Sequence, residues 1–335
     1  MSNPTEKPVP TKESAPARAR VSFCMSTYRR PSFLRHQLEL LLQQTFPDFL
    51  IIISDNDPEC SARAVVEESG DPRLRYFPNQ NNLGMVRSFN KSLERSNTEF
   101  VVMVTDDDPV DPSMLKELLV IADRFPGYGI YSGCRRRSGE PGTVEVFDKD
   151  NFVFQLLHPD YTISILWSSC LLRREAALAA GGMAEYGSPH LADHALLALC
   201  SRTSGGVMVN RMYSEFSSHP ANFSKSNFDL YYIGCREFHK LIAASFPVTA
   251  YFKGKENALT RHLEVWFIAM AFNLRRFYTY EKKDRKEFHR AVDALSKILT
   301  LPFMKRIYLR YEVKRAIFYL KWPLFRLGVL KNRGL

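Results

Sequence analysis

Residues 100–109 read FVVMVTDDDP, a continuous apolar run that stops at three consecutive aspartates. An uninterrupted apolar run of this length predicts a strand that is buried on both faces, as strands of parallel sheets are. In open α/β sheets, ligands bind at the carboxyl ends of the strands. The segment therefore predicts a parallel sheet with an acidic cluster at its ligand-binding edge.

Apolar runs alternate with helical periodicity on both sides of this segment. The runs predict strands over 21–26, 49–54, 74–77, 100–105, 129–133, 164–172 and 212–216. Apolar residues at three- and four-residue spacing predict helices over 31–44, 61–69, 83–95, 112–125 and 191–202. Strands that alternate with helices are typical of βαβ units. We therefore expect an α/β fold with a mostly parallel sheet.

The 335 residues are 45% hydrophobic and 24% charged, which supports a large core and excludes a mainly disordered or collagen-like chain. Residues 1–18 are rich in Pro, Ser, Thr and charged residues, and we expect a disordered leader there. Residues 19–220 would form the sheet-containing domain. From 221 to 335 the pattern predicts helices only.

The net charge of +10 is concentrated at the carboxyl terminus. Residues 281–335 contain fifteen Lys and Arg against five Asp and Glu, and these basic residues alternate with large apolar ones. This combination favours a helix on an anionic membrane surface, or a helix packed on the main domain with a solvated basic face. Nucleic acid is not an expected partner, because no recognition fold precedes the segment.

The six cysteines are widely spaced, and no two of them form a Cys-x-x-Cys pair. This spacing argues against a zinc ribbon or a thioredoxin-like site and fits a reducing compartment. No apolar stretch reaches the roughly 18 residues that a membrane span requires. We expect a cytoplasmic protein, peripheral on the inner face of the membrane if the basic segment binds lipid.

The three aspartates at 106–108 suggest a cation site. Carboxylate oxygens are the ligands that Mg²⁺ and Mn²⁺ prefer, and repulsion among adjacent carboxylates is relieved by a bound cation. Aspartate is also common in turns, so a purely structural turn is the alternative.

Four segments together carry a resemblance to a known family. They are 21–31 (VSFCMSTYRRP), 53–56 (ISDN), 82–84 (NLG) with Asn90, and 106–108 (DDD). In this order, at the ends of strands, they resemble the nucleotide-sugar domain of family 2-like GT-A glycosyltransferases, of the kind that adds single sugars. The resemblance implies a GT-A fold with a helical carboxyl-terminal region.

The resemblance also implies nucleotide-binding residues. The loop of Thr27, Tyr28 and Arg29 would pack around the nucleoside, and Asp55 would accept a hydrogen bond from the base, commonly uracil. Arg87 would reach the nucleotide. The alternatives are an ordinary strand-to-helix turn, a turn aspartate and a solvated helix arginine.

The family's Asp-x-Asp metal motif is matched by Asp106 and Asp108. By the resemblance, Asp106 would face the ribose or the metal, and Asp108 would bind the cation that bridges the two phosphates. Asp107 would lie between these two roles. His219 would be a third ligand of Mn²⁺ or Mg²⁺, or a contact to the diphosphate. Asp193 follows the Gly-Gly turn at 181–182 and matches the aspartate that deprotonates the acceptor hydroxyl. The alternative is a helix-terminal aspartate favoured by the helix dipole.

The resulting prediction is an inverting, metal-dependent glycosyltransferase. It would move a sugar from a nucleotide sugar, most commonly a UDP-sugar, to a hydroxyl of a glycan or lipid-linked acceptor in cell-surface polysaccharide synthesis. The alternatives are a sugar nucleotidyltransferase and a membrane-associated scaffold without turnover. The first is disfavoured because the loop at 26–30 lacks glycine.

Overall fold

The computed structural model describes residues 19–246 and 257–326, and the leader expected at 1–18 lies outside these ranges. Eight strands form one sheet in the order β3-β2-β1-β4-β7-β5-β8-β6. The strands are β1 (Val21–Thr27), β2 (Phe49–Asp55), β3 (Leu74–Pro78), β4 (Phe100–Val104), β5 (Ile130–Arg136), β6 (Val144–Phe147), β7 (Thr162–Arg173) and β8 (Gly206–Val209).

Most neighbouring strands are parallel, as the sequence predicts. β1 pairs in parallel with β2 and β4, and β2 pairs in parallel with β3. β7 runs antiparallel between β4 and β5, and β6 runs antiparallel to β8. The register places Thr27 opposite Asp55, so the polar ends of β1 and β2 meet at one edge.

Helices cover both faces of the sheet. The first seven are α1 (Pro31–Leu41), α2 (Arg63–Ser69), α3 (Met85–Arg95), α4 (Met114–Arg124), α5 (Lys149–Leu157), α6 (Arg174–Ala179) and α7 (Ala192–Cys200). The carboxyl-terminal helices are α8 (Asp229–Ser245), α9 (Asn257–Arg276), α10 (Arg285–Ile298) and α11 (Tyr308–Arg326). The predicted α/β fold with a helical carboxyl-terminal region is confirmed.

Side chains that alternate along the strands divide the core into two clusters. Val21, Phe23 and Met25 pack with α1, α2 and α4 on one face, whereas Cys24 contributes to the cluster on the other face. This alternation follows from the two-residue period of a strand. The second cluster also contains buried residues of α3 and α5–α11. The carboxyl-terminal helices therefore share a core with the sheet.

Several short elements depart from the sequence prediction. The strand expected at 212–216 is only an isolated bridge between Val110 and Ser214. The chain forms β8 at Gly206–Val209 instead, and β6, α5 and α6 were not predicted. β6 and β8 have only four residues each, too few for a periodic pattern to identify them. Within the described ranges, none of the helices has the length and apolar character needed to span a bilayer.

Candidate active site

The site lies at the carboxyl edge of the sheet, where β1 is flanked by β2 and β4. The chain moves from β1 outward to β2 and β3 and then returns past β1 to β4. Such a reversal leaves a crevice between the loops that follow the two central strands. Here those loops are 27–30 after β1 and 105–109 after β4.

Arg30 holds the acidic cluster together. Its Nη1 donates to Asp106 Oδ1 at 2.8 Å, and its Nη2 donates to Asp107 Oδ2 at 2.7 Å. Thr27 Oγ1 donates to the other oxygen of Asp106 at 2.9 Å. Sequence reasoning missed Arg30, although its position just before the helix-starting Pro31, in a loop already assigned to the nucleotide, was a usable signal.

His219 approaches Asp107. Its Nε2 lies 2.9 Å from Asp107 Oδ2 and 3.2 Å from Arg30 Nη2. Phe33 packs on the other side, with its ring centroid 4.7 Å from the His219 ring and 4.2 Å from the Arg30 guanidinium carbon. The structure therefore brings His219 to Asp107, the middle aspartate.

Asp108 has a different neighbour. Its Oδ1 accepts a hydrogen bond from the backbone N of Ser217 at 2.9 Å, and its backbone oxygen accepts one from Gln37 Nε2. Asp108 thus fixes the 217–219 segment against the loop after β4. The sequence expectation that Asp108 binds the metal with His219 stays a prediction; the His219 ring itself contacts Asp107.

The three carboxyl groups differ in acidity because their surroundings differ. Burial raises the pKa of Asp106 to about 6 against the opposing charge of Arg30, with a further contribution from Asp107. Burial also raises the pKa of Asp108 to about 6. Burial acts in the same direction on Asp107, but hydrogen bonds from Arg30 and His219 outweigh it, and the pKa of Asp107 lies below its usual value. Asp107 is therefore the most acidic of the three.

Asp107 and His219 supply part of the ligand set that a hard divalent cation requires. Across residues 19–246 and 257–326, no three His, Cys, Asp or Glu side chains are arranged as a metal site. Two do converge, Asp107 and His219, and His219 Nδ1 is buried without a hydrogen-bond partner among the described residues. Mg²⁺ and Mn²⁺ at nucleotide sites commonly take one or two protein ligands together with phosphate oxygens and water. Asp107 and His219 fit that pattern, and in this structure the Arg30 guanidinium contacts both of them.

The loop after β1 presents two further expected residues. Tyr28 is 40% exposed and free to stack on a base, and the Arg29 guanidinium lies 5.4 Å from its ring. Arg29 has a positive φ of 53°, which is uncommon for a residue with a side chain. This backbone turn directs Arg29 to Asp57 and Glu59, and Arg30 to the acidic cluster.

Asp55 does not open onto the crevice. It has no exposed surface, and its two carboxylate oxygens accept hydrogen bonds from Asp57 N, Ala62 N and Tyr76 Oη. These three donors occupy most of the lone-pair positions of a carboxylate. In this arrangement Asp55 closes the loop after β2, and its expected contact to a base stays a prediction.

The middle of α3 is joined to the loop that precedes α7. Asn90 Nδ2 donates to Met183 O at 3.0 Å, and Asn90 Oδ1 accepts from Met183 N at 2.8 Å. Arg87, which we expect to reach the nucleotide, forms an exposed ion pair with Glu185 at 2.6 Å. These contacts hold the 181–191 loop against the end of α3 that faces the crevice.

Asp193 lies in the first turn of α7, half-buried and with no hydrogen bond from any described side chain. The residue before the helix, Leu191, has a φ of 65° and fixes the direction in which α7 begins. Exposed backbone N–H groups at a helix start favour an ionised carboxylate. Asp193 is partly accessible, as a general base must be, and no hydrogen bond among the described residues joins it to the acidic cluster.

Residues 22–181 match the family model described as glycosyl transferase family 2. The matched range includes β1 to β7 and the whole acidic cluster. This part of the chain is a glycosyl transferase family 2 domain. The match favours glycosyl transfer over the nucleotidyltransferase alternative. Asp193 and His219 lie beyond the matched range.

Curated relatives of the family 2 domain include a GalNAc(5)-diNAcBac-PP-undecaprenol beta-1,3-glucosyltransferase of Campylobacter jejuni. It is 29% identical over 119 residues, which are 34% of this chain and 38% of that protein. An uncharacterized glycosyltransferase of Methanocaldococcus jannaschii is 31% identical over 101 residues, 29% of this chain and 35% of that protein. The chain thus spans less than two fifths of the length of these relatives.

Among solved structures, S. aureus TarS 1-349 in complex with UDP-GlcNAc resembles this chain with a TM-score of 0.57. The likeness covers 86% of this chain and 82% of that one at 18% sequence identity. At this identity the likeness concerns the fold, and it extends beyond the family 2 domain into the carboxyl-terminal helices. The GT-A architecture is confirmed.

Proposed function

We propose that this chain is an inverting, metal-dependent glycosyltransferase that uses a nucleotide sugar. One observation carries the proposal: Asp106 and Asp107 meet Thr27, Arg30 and His219 at the reversal point of the sheet in a glycosyl transferase family 2 domain. Glycosyl transfer expels a nucleoside diphosphate, so a site that combines carboxylates with cationic groups at the sheet edge suits the leaving group.

Asp107 and His219 would hold the divalent cation, because these two donors converge. A bound Mn²⁺ or Mg²⁺ would stabilise the charge that develops on the departing diphosphate. Arg30 already neutralises the same carboxylates, and it would turn toward the diphosphate when the cation takes its place. Tyr28 would stack on the base from the exposed side of the loop after β1.

Asp193 would act as the general base. A carboxylate within reach of the acceptor hydroxyl accepts its proton as the oxygen attacks the anomeric carbon. A single displacement of this kind inverts the configuration at that carbon. The half-buried position of Asp193 in the first turn of α7, without a hydrogen bond from any described side chain, supports this role.

The donor and acceptor are suggested by the proteins that this chain resembles. A UDP-sugar is the first donor to test, because TarS was solved with UDP-GlcNAc. A lipid-linked acceptor is suggested by the PP-undecaprenol in the name of the Campylobacter relative. The expected contact between Asp55 and the base, commonly uracil, stays a prediction, since Asp55 is fully buried and its oxygens accept three hydrogen bonds from its own surroundings.

The test combines nucleotide binding with turnover. Thermal shifts are measured with UDP-, GDP-, dTDP- and CMP-sugars with Mn²⁺ and with chelator, and donor hydrolysis is followed in the same samples. A ligand at a hundred times its Kd stabilises a protein by about 2.7 kcal/mol. We expect one nucleotide class to stabilise the protein and to be hydrolysed only with the cation. A scaffold would hydrolyse none of them, and that result would contradict the proposal.

Two variants distinguish cation and nucleotide binding by Asp107 from proton transfer by Asp193. Asp107→Asn should abolish the nucleotide-dependent shift, whereas Asp193→Asn should keep the shift and lose about 10²-fold or more in turnover. Asp229→Asn is the matched control for Asp193, because Asp229 also lies in the first turn of a helix but is exposed and paired with Lys297. An Asp193→Asn variant with near-normal turnover would remove the base assignment.

A further inference from the structure

Helix α11 has an inner face that anchors it to the protein. Tyr311 is buried, its ring packs edge-on against Phe267 with centroids 5.0 Å apart, and its Oη accepts a hydrogen bond from Arg275 at 2.7 Å. Arg310 adds an ion pair at 3.3 Å with the buried Glu264 of α9. These contacts determine which side of α11 points away from the protein.

The outward side of α11 carries a second apolar face. It consists of Leu309, Val313, Ile317 and Leu320, which are 73%, 50%, 43% and 77% exposed and which we call the outer stripe. At about 100° per residue, these positions fall within an arc of about 80° on the side of the helix away from Tyr311. Helices of soluble proteins normally turn their polar side outward. A contiguous exposed apolar face of this kind marks an interaction surface.

Cations and tyrosines border the outer stripe. Lys314 and Lys321 follow it along one side, and both are exposed. On the other side, Tyr308 and Tyr319 lie between the outer stripe and the inner face; they are 54% and 53% exposed, and the Tyr319 ring lies 5.7 Å from the Arg275 guanidinium. An apolar face bordered by basic residues and amphipathic rings is the composition of helices that lie in the membrane interface.

We propose that α11 docks on an anionic lipid bilayer through the outer stripe, with Lys314 and Lys321 contacting lipid phosphates. A second copy of the chain fits less well, because packing two outer stripes together would bring the bordering cations of both copies into proximity. Nucleic acid would satisfy the cations but leave the apolar residues exposed. An anionic bilayer would cover the apolar residues of the outer stripe and would also pair with the bordering lysines.

This inference deepens the proposed function and rests on it in one respect. If the acceptor is lipid-linked, the outer stripe supplies the surface at which the enzyme meets it. The docking itself requires no particular donor or acceptor, so the two proposals can fail separately.

The experiment is vesicle flotation of the full chain with vesicles of POPC alone and of POPC mixed with POPG, at low and high NaCl. We expect binding to the POPG vesicles that weakens as salt rises. The double variant Leu309→Ser/Leu320→Ser tests the apolar face, and Lys314→Gln/Lys321→Gln tests the charge. Each should lower the partition coefficient by about tenfold or more.

Matched controls come from α4, which covers the opposite face of the sheet. Val120→Ser and Lys116→Gln alter an exposed apolar residue and an exposed lysine there, and both should bind vesicles normally. Circular dichroism and thermal melting verify that every variant is folded. If the serine variant does not fold, the glutamine variant still tests the proposal, because it removes only charge from exposed positions.

Three results would overturn the proposal: equal binding to POPC and POPG vesicles, no vesicle binding, or unchanged binding by both double variants. A dimer in light scattering that the serine variant abolishes, without vesicle binding, would assign the outer stripe to a second copy. Donor hydrolysis is measured without vesicles for the same variants and should remain normal. A chain that binds POPG but hydrolyses no nucleotide sugar would contradict the enzyme proposal and leave the docking intact.

Discussion

Arg30 is the residue on which the acidic cluster depends. Its guanidinium bridges Asp106 and Asp107, whose side chains are almost completely buried. Two adjacent buried carboxylates are costly without an opposing charge. Arg30 therefore maintains the cluster when neither a cation nor a nucleotide is bound, and a cation that enters must take over this neutralisation.

Arg30→Ala should lower the free energy of unfolding by about 1–3 kcal/mol, because it leaves two buried carboxylates unpaired. Adding Mn²⁺ should restore more stability to the variant than it adds to the parent chain. Urea unfolding with and without MnCl₂ measures both effects. Arg35→Ala is the control, since its ion pair with Glu68 is exposed and should contribute less than about 1 kcal/mol. Equal losses for the two variants would be incompatible with this role of Arg30.

The loop between α6 and α7 is the element that connects the two expected halves of the site. Asn90 of α3 forms both hydrogen bonds with the backbone of Met183, and this close approach requires the neighbouring glycine. Gly182 has a φ of +71°, and a Cβ added to it would lie 2.4 Å from Asn90 Oδ1. The conformation of this loop determines where α7, and with it Asp193, begins.

Gly182→Ala should lower the free energy of unfolding by about 2–4 kcal/mol, because the backbone strain and the clash with Asn90 both destabilise the native state. Turnover should fall further than nucleotide affinity, since the change displaces the start of α7 and not the acidic cluster. Gly181→Ala provides the comparison: its φ is +80°, but nothing lies within 4 Å of the added Cβ. The free energy of unfolding of that variant should fall by only about 1–2 kcal/mol, from backbone strain alone. Thermal melts and steady-state kinetics are the measurements, and indistinguishable variants would refute the packing argument.

Elements with a clear apolar run or helical periodicity were predictable, and elements whose burial depends on distant partners were not. The apolar run at 100–104 and the periodic run at 85–95 each provide enough positions to distinguish a strand from a helix. β8 has four residues, and its burial comes from pairing with β5 and β6, far away in sequence. The 212–216 segment has a strand-like sequence, but it forms only one bridge, with the loop after β4.

At the scale of the whole molecule, a histidine pair joins the sheet domain to the carboxyl-terminal helices. His194 Nδ1 of α7 lies 2.9 Å from His262 Nε2 of α9. Burial lowers the pKa of His262 to about 3, and the nearby His194 contributes in the same direction. The native protein therefore keeps His262 neutral well below the pH at which an unfolded histidine gains its proton.

Stability should consequently fall on acidification. The unfolded chain binds a proton at His262 below about pH 6.5 and the native chain does not, so this stabilisation is complete above pH 6.5 and is lost progressively below it. From pH 7 to pH 5 the loss attributable to this one residue is about 2 kcal/mol. His262→Gln cannot titrate and should show a correspondingly smaller difference between urea unfolding at the two pH values. His36→Gln, at an exposed position, should behave as the parent chain does, and an unchanged pH difference in His262→Gln would contradict the assignment.

The sequence by itself determined most of the strands and helices, the acidic end of β4 and the basic, apolar carboxyl terminus, because burial periodicity and charge are local properties of the chain. Only the tertiary structure decided what the polar side chains contact. Arg30 meets Asp106 across 76 residues and His219 across 189, whereas Asp55 is enclosed by its own loop and by Tyr76. The outer stripe could likewise not be assigned from sequence, since both faces of α11 are apolar and only packing against α9 shows which of them faces outward. A local pattern specifies that a side chain is polar or apolar, but its partner depends on which distant segments the fold brings together.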